Sequence, residues 1–196
     1  MKKVLKSAAV CVTLLALAPA SVCAGTDRPS RPFFARLVLQ GVTFQVESPN
    51  EGSINAVTVQ AQTPQRTLGP IKVEADGTIT NVEVADLNGD GYPEIYVYVT
   101  SAGSGSYGSL IAYASNRNRS LSEIHLPSLE DDREASKGYM GHDKFAVGEA
   151  TLIRRFPVYR KGDTNAKPTG GTRQLQYKLV AGEAGWVLRK DRSIDF

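Results

Sequence analysis

Cysteine is nearly absent from this sequence, and what there is sits at the very start. Both cysteines of the 196 residues, Cys11 and Cys23, fall within the first 24. Beyond them no thiol exists for a disulfide, a thiolate metal site or a cysteine nucleophile. Histidine is also scarce, and neither His125 nor His142 stands beside a nucleophile in a recognisable motif. His125, within Ile124-His125-Leu126, reads as a strand residue, and the Asp131-Asp132 pair belongs to a charged, solvated run. Catalysis is therefore not expected. Long apolar runs are missing too. The candidate, Ala8 to Ala18, is too short to cross a hydrocarbon core of about 30 Å as a helix, so no membrane anchor is expected.

That short run has the flanks of a secretory signal. Lys2, Lys3 and Lys6 precede it, Pro19 breaks it, and Val22-Cys23-Ala24 offers small residues to a signal peptidase. Residues 1–24 read as a signal peptide cleaved after Ala24. Lipidation at Cys23 is not expected, because Val22 stands where Gly or Ala is wanted and Ala20 where a Leu-like residue is wanted. Removing the segment also removes the charge excess. The whole chain carries 23 Lys and Arg against 20 Asp and Glu, and three of those lysines leave with the signal. A mature chain with balanced charge gives no support for nucleic acid or an anionic membrane as partner. Residues 25–196 have the size of a single domain able to bury roughly 70% of its unfolded surface.

What is present is mostly strand. After the apolar stretch Leu37 to Leu39, the segments Val42 to Glu47, Val57 to Ala61 and Val82 to Val84 pair apolar with polar residues in alternation. Ile95 to Val99, Leu110 to Ala114, Thr151 to Tyr159, Leu175 to Leu179 and Trp186 to Arg189 continue the series. Alternation by two sends one set of side chains to a core. That core is expected to hold Phe44, Val46, Val57, Val59, Val97, Val99, Leu175, Tyr177, Leu179, Trp186 and Leu188. Turns are expected at Ser48 to Gly52, Ala75 to Gly77 and Gly162 to Gly171. Leu129 to Lys137 reads as a loop or a single helical turn. The predicted class is all-β: an antiparallel β-sandwich or partly closed barrel.

Two loops carry chemistry. In the first, Asp86-Leu87-Asn88-Gly89-Asp90-Gly91-Tyr92-Pro93-Glu94, oxygen side chains alternate and a Gly precedes a further carboxylate. Asp86, Asn88, Asp90 and Glu94 could wrap a calcium ion. The same residue types build metal-free turns, and the twelfth position is Val97 where an EF-hand has Glu. A structural turn without cofactor is the expectation, with calcium the alternative. The second loop, Ser101 to Ser109, contains a formal G-x-G-x-x-G at Gly103, Gly105 and Gly108. Its context is wrong for a nucleotide, because Leu110 to Ala114 resumes as strand rather than helix. Flexible glycines with the hydroxyls of Ser104 and Ser106 and the ring of Tyr107 suit a protruding contact loop better.

The Asp86–Glu94 run, the apolar strand after it and Ser104-Gly105-Ser106-Tyr107-Gly108 together resemble the periplasmic inhibitors of invertebrate-type (i-type) lysozyme, the PliI family. The resemblance spans mainly residues 81–127. It implies a periplasmic bacterial protein that inserts this loop into the active-site cleft of i-type lysozyme. Ser104, Gly105 and Tyr107 would be the lysozyme-binding residues, with Ser104 and Tyr107 at the family's inhibitory positions. The resemblance also implies a homodimer and a role in defence against host lysozyme. Tyr139 to His142 offers another aromatic and a His for a second contact. The rival reading is a calcium-dependent carbohydrate-binding or adhesion module using the Asp86–Glu94 loop.

Overall fold

A computed structural model describes residues 31–183 and 185–196; the expected signal peptide lies outside the described residues. Four strands, β1 (Phe33–Leu39), β2 (Val42–Ser48), β3 (Ile54–Gln62) and β4 (Thr67–Asp76), form an antiparallel sheet in chain order. The chain then turns a corner at Gly77 into a second, eight-stranded sheet. Its first half is β5 (Thr78–Ala85), β6 (Glu94–Thr100), β7 (Gly108–Asn116) and β8 (Ser120–His125). Its second half is β9 (Lys144–Val147), β10 (Leu152–Pro157), β11 (Thr172–Ala181) and β12 (Trp186–Asp195). The sheet order is β5-β6-β7-β8-β12-β11-β10-β9. A 3-10 turn at Leu129–Asp131 fills the place left open between loop and single turn.

The expected class holds, with both of its alternatives realised at once. The four-stranded sheet packs on β5 to β7 as a sandwich, while the eight-stranded sheet curls into a nearly closed barrel. One detail departs from the expectation. β8 and β12 pair in parallel, with Ile124 opposite Trp186 and His125 opposite Val187. The long connection from β8 to β12 permits this, since parallel neighbours need a crossover of a dozen residues or more.

β6 belongs to both layers. Ile95, Val97 and Val99 join Phe44, Val46, Val57 and Val59 in the core between the sheets. Tyr96 and Tyr98 point the other way, into the barrel core with Leu152, Phe156, Leu175 and Leu188. A strand covered on both faces carries apolar or aromatic side chains at successive positions, as this one does. Of the expected core residues only Trp186 falls short: it is half-buried, packs at the margin of the barrel core, and donates its Nε1–H to Asn116 at 3.4 Å.

Burying tyrosines requires acceptors for their hydroxyls. Tyr98 donates to Glu83 Oε2 at 2.5 Å, and the Val147 N–H donates to the same oxygen at 2.9 Å. Glu83 thus links β5 to β9 where the barrel edges approach. The corner at Gly77 is tight for a steric reason. Its φ is +135°, and a Cβ there would lie 2.3 Å from the carbonyl oxygen of Thr100 at the end of β6. Among the described residues no helix is long and apolar enough to cross a membrane.

Candidate functional site

The two loops singled out in the sequence sit at opposite ends of β6. Seven residues of strand, about 20 Å at the usual rise, separate the Asp86–Glu94 loop from Ser101–Tyr107. The structure therefore does not bring the two sets of candidate residues together.

The loop between β6 and β7 is closed at its base by the backbone. Ser101 N–H donates to the Tyr107 carbonyl at 2.9 Å, and Tyr107 N–H donates to Ser101 Oγ at 2.9 Å. Inside, Ser106 N–H donates to the Gly103 carbonyl at 2.9 Å, with Ser106 itself in the left-handed region at φ +44°. Ser104 is exposed at the tip, Gly105 is half-buried, and Tyr107 is 50% exposed.

Two neighbouring segments clamp this tip. His142 N–H donates to the Gly105 carbonyl at 2.7 Å, and Asn165 Nδ2–H donates to the Ser104 carbonyl at 2.6 Å. Asn165 Oδ1 lies 3.0 Å from His142 Nε2, and Tyr159 donates its hydroxyl to the Asn165 carbonyl at 3.0 Å. Gly141 has φ +91°, and a Cβ on it would stand 2.0 Å from the Gly105 carbonyl oxygen. The approach of two backbones at this point needs glycine. Tyr139 to His142, expected as a second contact, supports the first loop through these bonds.

Beneath Tyr107 lies an aromatic and ionic base. The Tyr107 ring meets Tyr139 edge-on at 5.7 Å, and Tyr139 meets Phe156 edge-on at 4.8 Å. Asp143, whose side chain is fully buried, accepts from Gly108 N–H at 2.7 Å, from Arg154 Nε–H at 2.7 Å and from the Tyr139 hydroxyl. Arg154 lies against the Tyr139 and Phe145 rings, 5.2 and 5.4 Å from their centroids. Burial works against its charge, but the adjacent Asp143 carboxylate more than offsets this and holds the guanidinium above its ordinary value. Burial, reinforced by the bond to Asp143, likewise pushes the Tyr139 hydroxyl up, so it remains a donor. Beside this base a groove of about 340 Å³ is bordered by Tyr107, Leu110, Leu126, Tyr139 and Arg154.

Sequence reasoning missed this supporting set. Arg154 left a signal: β10 alternates, and Leu152 and Phe156 point inward, so the residue between them in phase must point inward too. A buried Arg requires an anion. Nothing local identifies Asp143 or Asn165 as the partners, because they come from distant connections.

At the other end of β6, Asp86 Oδ1 and Oδ2 accept from Asp90 N–H at 3.0 Å and Gly91 N–H at 2.9 Å. Asp90 Oδ1 accepts from Tyr92 N–H at 2.8 Å, and Asn88 Oδ1 from Asp90 N–H at 3.0 Å. Glu94 has no solvent exposure. Its Oε2 accepts from Leu87 N–H at 2.8 Å and from the Tyr96 hydroxyl at 3.3 Å, while Oε1 is buried with no hydrogen-bond partner. Burial pushes its carboxyl up to about 7, held back by the Leu87 bond and raised further by the charges of Asp86 and Asp90.

His142 is tied to Asn165, and Asp132 pairs with Lys190 while accepting from Ala135 N–H at 3.0 Å. The G-x-G-x-x-G glycines open onto β7, a strand, so the context a dinucleotide needs is absent here.

The sequence model of one family matches the chain, that of PliI, described as the periplasmic lysozyme inhibitor of I-type lysozyme, over residues 40–137. The match runs from the turn before β2 through both loops of β6 and ends just before Tyr139. It is wider than the stretch that carried the resemblance in the sequence. No curated protein matches the chain.

Proposed function

The chain belongs to the PliI family, the periplasmic inhibitors of I-type lysozyme, and from that premise we propose that it blocks the enzyme by seating the Ser104–Tyr107 loop in the active-site cleft. A lysozyme cleft holds two carboxyl groups, one an acid and the other a nucleophile or stabiliser. The hydroxyls of Ser104 and Tyr107 donate to those oxygens and take the place of water or sugar. Hydrogen bonds to charged groups contribute about 1.5–3 kcal/mol each. Two of them supply about 3–6 kcal/mol of the roughly 12 that a nanomolar complex requires. The remainder comes from burying Tyr107 and from contacts around it, including the groove beside Tyr139.

The observation that carries this reading is how the loop is held. Its clamps engage backbone carbonyls, amides and the Tyr107 ring. That leaves the Ser104 and Tyr107 hydroxyls for a partner. A loop already fixed in shape loses little freedom on binding, which favours affinity. Inhibition by occlusion requires no chemistry of the inhibitor's own. The same reading includes export through residues 1–24, defence of a bacterium against host lysozyme, and a homodimer that sedimentation would detect.

The test is residual I-type lysozyme activity against added protein, with wild type and Ser104→Ala/Tyr107→Ala, each with and without a chelator. Wild type should inhibit stoichiometrically. The double variant should lose about 10²–10⁴-fold in potency. Absence of inhibition by micromolar wild type would sink the proposal. Inhibition that survives the double substitution but vanishes on chelation would favour the calcium-dependent carbohydrate-binding or adhesion reading.

A further inference from the structure

We propose that the Asp86–Glu94 loop is a calcium site, in which Asp86, Asn88, Asp90 and the buried Glu94 supply oxygen ligands at the β5–β6 turn. The inference is independent of lysozyme binding. Its starting point is Glu94. A fully buried carboxylate with one oxygen lacking any donor is costly, and native proteins leave few such groups without a reason. The Glu94 carboxylate faces the loop: one carboxylate oxygen each of Asp86, Asp90 and Glu94 lie within 4.8 Å of one another. Ionised carboxylates drawn that close repel one another, and a cation among them relieves the repulsion.

The donor set selects the ion. All the candidate ligands are oxygens, with no imidazole or thiolate, so a hard cation is required. The run D-x-N-x-D-G is the start of a twelve-residue calcium loop, with Gly91 at the sixth position in the left-handed region at φ +82°. In such loops the seventh residue, here Tyr92, contributes its carbonyl and the ninth position, here Glu94, completes that side. The hydrogen bonds that Asp86 and Asp90 accept leave lone pairs open, since a carboxylate has about four acceptor sites. Val97 replaces the bidentate Glu of the twelfth position and is buried in β6. With that ligand absent the affinity belongs to the weak, extracellular class, a Kd of about 10⁻⁴–10⁻³ M. Magnesium, which demands near-ideal octahedral geometry at short distance and dehydrates reluctantly, suits this all-protein oxygen set less well. The ion would join the end of β5 to the start of β6, far from Ser104 and Tyr107, and act on stability.

Two measurements test it on the purified protein: thermal melting in Ca²⁺ or Mg²⁺, and Tb³⁺ luminescence excited through the nearby tyrosines. Ca²⁺ at about ten times its Kd should raise Tm by about 3–6 °C. Mg²⁺ should do much less, and Ca²⁺ should compete away the Tb³⁺ signal. Glu94→Gln should abolish the Ca²⁺ response, yet in chelator melt at or above wild type, because the buried charge is gone. A purely structural Glu94 would instead give a variant less stable in chelator. Should that variant fail to fold, the exposed Asp90→Asn decides, with an expected weakening of Ca²⁺ by about tenfold or more. No Tm shift and no Tb³⁺ signal up to about 10 mM would overturn the site, being well above the expected Kd range. So would equal responses to Mg²⁺ and Ca²⁺, or an undiminished Ca²⁺ response in these variants. None of these outcomes bears on lysozyme inhibition, which is read separately.

Discussion

Gly141→Ala makes the sharpest demand on the loop geometry. The new Cβ would stand 2.0 Å from the Gly105 carbonyl oxygen, and residue 141 sits at φ +91°. Ordinary contact begins near 3.4 Å, so one of the two backbones must retreat by more than about 1 Å. An Ala at positive φ costs about 1–2 kcal/mol on its own. Retreat also stretches the 2.7 Å bond from His142 N–H to the Gly105 carbonyl, worth roughly 1 kcal/mol. The total, about 2–3 kcal/mol, should lower Tm by roughly 4–12 °C and leave the protein folded at 25 °C. Inhibition should suffer more than stability suggests, because the tip bearing Ser104 moves off the position its hydroxyl needs. A loss of about 10–10²-fold in potency is expected, equivalent to one charge-assisted hydrogen bond. The assay is a lysozyme inhibition titration beside a thermal melt. A variant that melts lower but inhibits with wild-type potency would refute the claim that this clamp sets the loop.

Other substitutions probe the same frame. Asp143→Ala strips the buried Arg154 of its partner and leaves Gly108 N–H and the Tyr139 hydroxyl without an acceptor, which should cost about 3–5 kcal/mol in urea unfolding. Replacing Arg154 with Met in that background should recover part of the loss, since the uncompensated charge is gone. Asn165→Ala removes the bond to the Ser104 carbonyl and should weaken inhibition about 3–10-fold with little change in Tm. Gly77→Ala drives a Cβ to 2.3 Å from the Thr100 carbonyl at the corner between the sheets, and should destabilise by about 3 kcal/mol or more by thermal melting.

Much of this architecture could be read from residue patterns, and the gaps have physical reasons. β2, β3 and β11 were legible because alternation by two survives where a strand faces a core, and β6 because its run of β-branched and aromatic residues is bounded by turn signals. β4 was passed over because Gly69 and Pro70 interrupt its alternation, and β9 because four residues carry too little pattern. Tyr96 and Tyr98 escaped the expected core because alternation assigns one face to solvent, and β6 has none. The parallel β8–β12 pairing joins residues some sixty apart, which no local signal encodes. The site divides in the same way. Ser104, Gly105 and Tyr107 stood out through a short local motif, whereas Asp143, Arg154 and Asn165 act only through tertiary proximity.

The central claim is that the Ser104–Tyr107 loop occupies the lysozyme cleft itself, and competition tests it most directly. The affinity of the protein for I-type lysozyme should be measured with and without a chitooligosaccharide that fills the cleft. Apparent affinity should fall in proportion to saccharide occupancy, and Ser104→Ala/Tyr107→Ala should bind weakly whether or not sugar is present. Undiminished binding to saccharide-filled enzyme would place the contact elsewhere and contradict the account.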